Sequence, residues 1–371
     1  MKQSVVHITI VHRRYDSRIF YKECVSLARV GYEVSFIVAD GLGDEENSGV
    51  KIIDIGRAES SRLKRMIKTS RKAVKAAARL KADIYHFHDP DLLIAALELR
   101  KEACVIFDSH EDFPALMLQR DYIPDIARRL LFRFASFTER FSAKRLSAVV
   151  CATETIRKKF LSYGNVPTET VRNYPVFADN GNDKPHCFPK KAVACYVGGL
   201  TEVRGVKEMV EACDKAGVKL LLAGEFDDMD FFNGVKAMPQ WQNVEFLGYV
   251  PNAEVRERVY ERSSVGLVLL HEAPNHTYSI PIKQLEYMQA GLPVIASREV
   301  LFCKEVTEKE HCGLVVNPLD IDEVAEAIRK ITNNPDLAKQ MSANAVKAAA
   351  HKYNWSSQEK VLLGFYERLL A

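Results

Sequence analysis

No apolar run in this chain approaches the roughly 20 residues that cross a bilayer, so no spanning helix is expected. No C-x-x-C pair occurs among its eight cysteines. They stand singly, the pattern of reduced, mostly buried thiols in a cytosol, not of a disulfide framework. Periods of 20–50 residues and low-complexity tracts are also missing, which sets aside repeat solenoids and disordered tails. The net charge is only +3 and no DNA- or RNA-binding motif accompanies the basic runs, so nucleic acid is a poor partner. The opening Val5–Val11 is too short and too polar for a signal peptide and reads as a first strand.

What is present fits a soluble two-domain protein. At 371 residues the chain exceeds one ordinary core, and its 47% hydrophobic and 27% charged composition is that of a globular protein. Apolar runs alternate with helical spacing: Val5–Val11, Ile19–Val30, then Val34–Val38 read as a βαβ unit, which requires a parallel sheet. Ile84–His88, Cys104–Phe107 and Ala148–Ala152 extend it. A second series follows at Val193–Val197, Lys219–Gly224, Val244–Gly248, Ser264–Leu270 and Val294–Ala296. Between the two series lies Asp179-Asn-Gly-Asn-Asp-Lys-Pro185, the most turn-rich run, and the domain boundary is placed there. The expected division is 1–178 with 355–371, and 179–354.

The residues that carry chemistry lie at strand ends. In Tyr278-Ser-Ile-Pro-Ile-Lys283-Gln-Leu-Glu286-Tyr-Met-Gln-Ala-Gly291-Leu-Pro-Val-Ile-Ala, Pro281 suits a helix start and Gly291 its stop. Lys283 and Glu286 share one face at i, i+3, beside an N-terminus that favours an anion. That combination offers a cation for a diphosphate and an acceptor for ribose hydroxyls; a surface ion pair is the plainer alternative. Arg13, Arg14, Asp16 and Arg18 follow the first strand. They can meet a phosphate or an acidic acceptor, or Asp16 and Arg18 can simply pair with each other. His110 and Glu111 follow the strand at 104–107, in Asp108-Ser-His-Glu-Asp-Phe-Pro114. His86 and His88 face one side of their strand, but no further ligands stand at zinc spacing and no metal site is expected.

Pro-x-Lys-x-x-Glu-Tyr-Met-x-x-Gly-x-Pro-Val-Ile-Ala is similar to the donor-binding segment of the retaining GT-B glycosyltransferases of family 4, in the branch that builds bacterial surface polysaccharides. Asp108-x-His110-Glu111 resembles that family's D-x-H-E segment, whose His lies beside the donor sugar. The resemblance implies two Rossmann-like α/β domains facing a cleft, with a C-terminal helix returning to the first. It also implies a nucleotide-sugar donor, UDP favoured, a glycan or polyprenyl-linked acceptor, and no cofactor or metal; Asp89-Pro-Asp91 is then a turn and not a metal-holding D-x-D. His110, Arg204 and Lys283 become the expected catalytic residues. Gly198, Gly199, Glu272, Tyr278, Ser279, Ile280 and Glu286 join Arg204 and Lys283 around the donor, and Arg13, Asp16, Arg18 and Glu111 stand on the acceptor side.

Two departures stand out. The family's G-R-L-x-x-x-K-G loop has Gly199 at the Arg position and Arg204 at the Lys position, so one cation is missing. Eight residues before Glu286, where a sugar-binding Glu is usual, stands Tyr278; Glu272, His271 or the 278–280 backbone are the substitutes. An epimerase of the same fold and a non-catalytic partner subunit therefore remain alternatives. Charge is also uneven: residues 57–81 and 128–145 are strongly basic, the second interleaving Arg with Phe and Leu. Both suit an anionic membrane surface at the inner face of the cell membrane, or equally a solvated helix back.

Overall fold

The computed structural model describes residues 3–101, 103–118, 123–177, 186–273 and 276–371. The chain divides into two compact units, Met1–Asn173 with Gln358–Ala371, and Tyr174–Ser357. The division thus falls ahead of Asp179–Pro185, a run that lies outside the described residues. Its position has an aromatic cause: Tyr174 is buried with the rings of Tyr353 and Phe302 at 5.8 and 6.1 Å, inside the core of the second unit.

The first unit contains Ser4–Ile8 (β1), Glu33–Val38 (β2), Glu45–Asn47 (β3), Val50–Asp54 (β4), Ile84–Phe87 (β5), Cys104–Ser109 (β6), Ala148–Cys151 (β7) and Thr168–Thr170 (β8). They form one sheet in the order β3-β4-β2-β1-β5-β6-β7-β8. Each described pairing is parallel except β3 with β4. Central strands buried on both faces must be apolar throughout, which is why they read as continuous Val and Ile runs. The sheet's direction of growth reverses between β1 and β5, and in such a sheet ligands collect at the carboxyl ends beside that reversal.

The second unit repeats the plan with Val193–Val197 (β9), Lys219–Ala223 (β10), Val244–Gly248 (β11), Val265–Val268 (β12), Val294–Ser297 (β13) and Gly313–Val316 (β14). Its order is β11-β10-β9-β12-β13-β14, all described pairs parallel, and the reversal lies between β9 and β12. The α/β class with two Rossmann-like sheets is therefore the observed one.

Two helical segments bear on the first unit. The basic segment is helical only from Arg62 to Arg79, with a wide π-type turn at Arg65–Thr69. Arg62 and Arg65 both reach the buried Asp91 carboxylate, with Nε at 3.2 and 2.8 Å. The last helix, Trp355–Leu370, ends in the first unit. Its buried face is Leu362, Phe365 and Tyr366, with Val361 and Leu369 only half-buried. This face brings the Tyr366 hydroxyl to 2.6 Å from His86 Nδ1.

Candidate active site

In the second unit the loop Gly198–Gly205 leaves the end of β9 and enters the helix Val206–Ala216. Gly205 has φ 72°, and a Cβ there would lie 2.2 Å from the Leu269 carbonyl oxygen. Only glycine lets this loop lie against the end of β12. Arg204 folds back over the loop: a Cβ at Gly199 would sit 2.8 Å from its Nη1, which donates to the Gly199 carbonyl oxygen at 3.4 Å. The guanidinium thus fills the space vacated by the missing side chain at 199, and Gly198, Gly199 and Arg204 form one cation-bearing turn.

The strand beside β9 leads to the second group. After β12 the chain runs through Glu272 and Tyr278, both exposed, to Pro281, which immediately precedes the helix Ile282–Gln289. Gly291, at φ 75°, stops this helix, with the Leu292 N–H donating to the Tyr287 carbonyl at 2.9 Å. Tyr287 is buried flat against Gly266 of β12, where a Cβ would meet its ring at 2.4 Å. Its hydroxyl accepts from the Val197 N–H at 3.2 Å, tying the helix to the end of β9. Lys283 Nζ donates to Glu286 Oε2 at 2.5 Å and the Tyr260 hydroxyl donates to the same oxygen at 2.9 Å. Lys283 and Glu286 are each 28% exposed, so the pair is accessible. Ile280 packs on the core, and Ser279 is spent locally: its N–H and hydroxyl both donate to the His276 carbonyl, at 3.0 and 2.9 Å. His271 Nε2 lies 3.2 Å from Glu208 Oε2, a charge contact outside hydrogen-bond geometry.

The first unit builds its group from buried charges. Asp108, the penultimate residue of β6, is fully buried; Arg18 Nε and Nη2 donate to its two oxygens at 2.9 Å each. The same carboxylate holds His110 Nε2 at 3.0 Å and His88 Nδ1 at 3.3 Å. Burial alone would raise this acid, but Arg18 and the two imidazoles outweigh it and hold Asp108 well below the usual carboxylate range. Burial pushes His88 the other way, down to about 4, so its ring is neutral near pH 7. His110 is therefore oriented from beneath by an ionised carboxylate while its side chain stays 19% exposed.

The loop after β1 differs from expectation. Arg18 is buried, with Nη1 donating to the Val171 carbonyl at 2.8 Å, so it supports His110 and presents nothing to a ligand. Asp16 does not pair with the Arg18 side chain; its Oδ1 accepts from the backbone N–H of Arg18 and Ile19 at 2.8 and 2.9 Å. Arg14 is buried against Asp40 and Glu45, whereas Arg13 and Glu111 are exposed. At the carboxyl ends of β1, β5 and β6 these elements leave a cavity of about 370 Å³ lined by His12, Arg62, Arg65, His110, Phe113 and Met117 among others. Arg62 and Arg65 were not read as site residues; the proximity of a basic helix to the Asp89–Asp91 turn is long-range information.

Each unit matches a known domain. Residues 17–174 match the model of Glycosyltransferase Family 4 and residues 180–348 that of Glycosyl transferases group 1. Over 99% of both chains the fold matches sucrose-phosphate synthase of Thermosynechococcus elongatus, with a TM-score of 0.72 at 18% identity. This chain has the GT-B fold, and its two halves match glycosyltransferase domains. A further GT-B likeness, at TM-score 0.68, 14% identity and 99% of both chains, is to Anabaena HepE in complex with UDP-glucose. Among curated relatives, alpha-D-kanosaminyltransferase of Streptomyces kanamyceticus is 23% identical over 63% of this chain and 64% of its own length. The GT-B chain spans less than two thirds of the length of the curated relatives it matches first.

Proposed function

We propose that this chain transfers a sugar from a nucleoside-diphosphate sugar, UDP-linked by preference, to a hydroxyl of a lipid-linked or soluble glycan, with retention of anomeric configuration, during surface-polysaccharide assembly. The observation that carries this reading is that the Arg204 turn and the Lys283 helix start stand at the carboxyl ends of adjacent strands, β9 and β12, where the sheet order reverses. The HepE complex with UDP-glucose supports the choice of base.

In this reading the diphosphate lies between Arg204 and the first turn of Ile282–Gln289, whose leading N–H groups lack intrahelical partners. Negative charge grows on the leaving diphosphate as the glycosidic bond breaks, and one preorganised donor to such charge contributes about 2.7–4 kcal/mol. The two cations take the part a metal ion plays elsewhere, so no metal is needed at the diphosphate. Lys283 is available because a half-exposed ion pair is worth only about 0–1 kcal/mol, which a diphosphate easily outbids. Glu286 then turns to the ribose, and Glu272 and Tyr278 to the sugar. We assign His110, its ring fixed by Asp108, to the reacting sugar. Glu111, Arg13 and Asp16 border the acceptor, and Arg18 acts by positioning.

The acceptor reading is supported by one surface. The helix Asp125–Ala143 exposes Ile126, Leu130, Phe134 and Phe137 at 78%, 61%, 62% and 67%, beside exposed Arg129, Arg133 and Arg140. Apolar side chains bracketed by cations suit the headgroup boundary of an anionic leaflet. No described helix is long and apolar enough to cross a membrane. Incubation with labelled nucleotide sugars tests the function: transfer or hydrolysis of a UDP-sugar supports it, an isomerised donor points to epimerisation, and neither binding nor turnover sinks it.

A further inference from the structure

Beneath His110 lies a second group that the proposed transfer does not use. His7 on β1, His86 on β5, His88 just past its end, and Glu23 on the π-type turn Ile19–Cys24 are all buried to 1% exposure or less. One ligand atom from each lies within 4.8 Å of every other. His7 Nδ1 and His88 Nε2 are 2.9 Å apart, and Glu23 Oε2 is 3.9 Å from the first and 4.0 Å from the second.

The proton inventory of this group does not close. His88 Nδ1 lies 3.3 Å from both Asp108 Oδ2 and His110 Nε2, and an N–H there directed at the carboxylate leaves a lone pair on Nε2 pointing at His7. A single proton between His7 and His88 would satisfy those two nitrogens. It would leave His86 Nε2 and both Glu23 oxygens buried without a hydrogen bond, as they are found. Glu23 Oε1 does lie 3.1 Å from Arg18 Nε, but that N–H is committed to Asp108, so the contact is Coulombic and off the donor axis. Buried polar atoms without partners are uncommon enough to need a cause, and an absent ion is one.

We propose that His7, Glu23, His86 and His88 bind a divalent transition-metal ion, with Zn²⁺ the ion that three imidazoles and a carboxylate suit best. Four ligands of this kind match tetrahedral zinc, whose ligand atoms stand about 3.3 Å apart at Zn–N distances near 2.0–2.1 Å. The separations found bracket that value: the His7 and His88 nitrogens must open slightly and Glu23 must close in. An outer shell is already in place for two of the three rings. His88 Nδ1 faces Asp108, and His86 Nδ1 faces the Tyr366 hydroxyl at 2.6 Å; such contacts orient ligating imidazoles in metal sites. Burial lowers the His7 and His86 rings, which favours the neutral form that ligates. The site is structural: it ties β1, β5 and the Ile19–Cys24 turn together under the Asp108 carboxylate that orients His110.

The test uses the full chain without a polyhistidine tag. It is stripped with chelator, exposed to Zn²⁺ or Co²⁺, desalted and assayed for metal by plasma mass spectrometry, with X-ray absorption on the loaded protein. The expected result is one ion per chain in a shell of imidazole and oxygen, a higher melting temperature on loading, and at least a tenfold loss of bound metal in Glu23→Gln and His86→Gln. Folded wild-type protein that holds less than a tenth of an equivalent, or a loaded shell without imidazole, overturns the site. Should the variants fail to fold, the absorption spectrum of the wild type decides alone.

Discussion

The two units carry the same architecture and handle charge in opposite ways. In the first, Arg18, Glu23, His7, His86, His88 and Asp108 are all buried at 4% exposure or less, and only His110 emerges from them. In the second, Arg204, Lys283 and Glu286 are partly exposed, and glycines and a helix start do the rest. A buried network is assembled by folding and is costly to disturb. A half-solvated one is cheap to open and is completed by its ligand. The contrast assigns stability to one set of residues and binding to the other, and each assignment can be broken.

The largest effect belongs to the buried set. Asp108→Ala leaves the Arg18 guanidinium without its partner, and removing one member of a buried ion pair costs about 3–5 kcal/mol. For a unit of this size that is a melting shift of roughly 6–20 °C, measurable by calorimetry, at 2–4 °C per kcal/mol. A shift within 2 °C would show that the network is dispensable to the fold. Next comes Gly205→Val, which forces a branched side chain into a left-handed position against the Leu269 carbonyl. It should cost at least the roughly 1–3 kcal/mol of such strain and weaken nucleotide binding together with stability. Lys283→Met separates the two: melting should hold to about 0.5 kcal/mol, as for surface changes generally, while UDP affinity falls about tenfold for one lost charge-assisted contact.

Smaller still is the expected effect of Phe134→Glu with Phe137→Glu on stability, again about 0.5 kcal/mol or less because both rings are exposed. Co-sedimentation with anionic vesicles at low and high salt reads the surface itself. Binding that survives the double substitution would remove this helix from the account. The smallest is a pH effect. The Arg14 hydrogen bond holds Asp40 below its ordinary value. A carboxyl depressed in the folded state adds stability above its unfolded pKa of about 3.9 and loses it as pH falls through the folded value. The stability gap between wild type and Asp40→Asn should therefore be constant from pH 5 to 7 and close below about pH 4; a gap that widens in acid would reverse the sign.

Much of the scaffold was legible because buried parallel strands leave continuous apolar runs: Val193–Val197 and Val244–Gly248 are observed with the bounds the sequence suggests. The hairpin Glu45–Asn47 with Val50–Asp54 was not, since Glu-Glu-Asn is exposed and carries no alternation. Lys283 and Glu286 were readable from local spacing, and so was their mutual pairing. What the sequence could not supply was distance across the fold. Arg18 looks like a ligand-facing cation until Asp108, ninety positions away, is seen to claim it. His86 and His88 show no metal spacing of their own, and Glu23 and His7 arrive from a separate turn and strand. Arg204 was singled out from its place in the motif, but only the folded loop shows it covering Gly199.

The central claim is that the second unit grips a nucleotide diphosphate through Arg204. Isothermal titration of UDP into wild type and Arg204→Ala, each checked for an unchanged melting temperature, addresses it directly. A loss of about 1.5–3 kcal/mol, or roughly ten- to a hundredfold in Kd, is predicted for a hydrogen bond to a charged group. Equal affinities in the two proteins would contradict it.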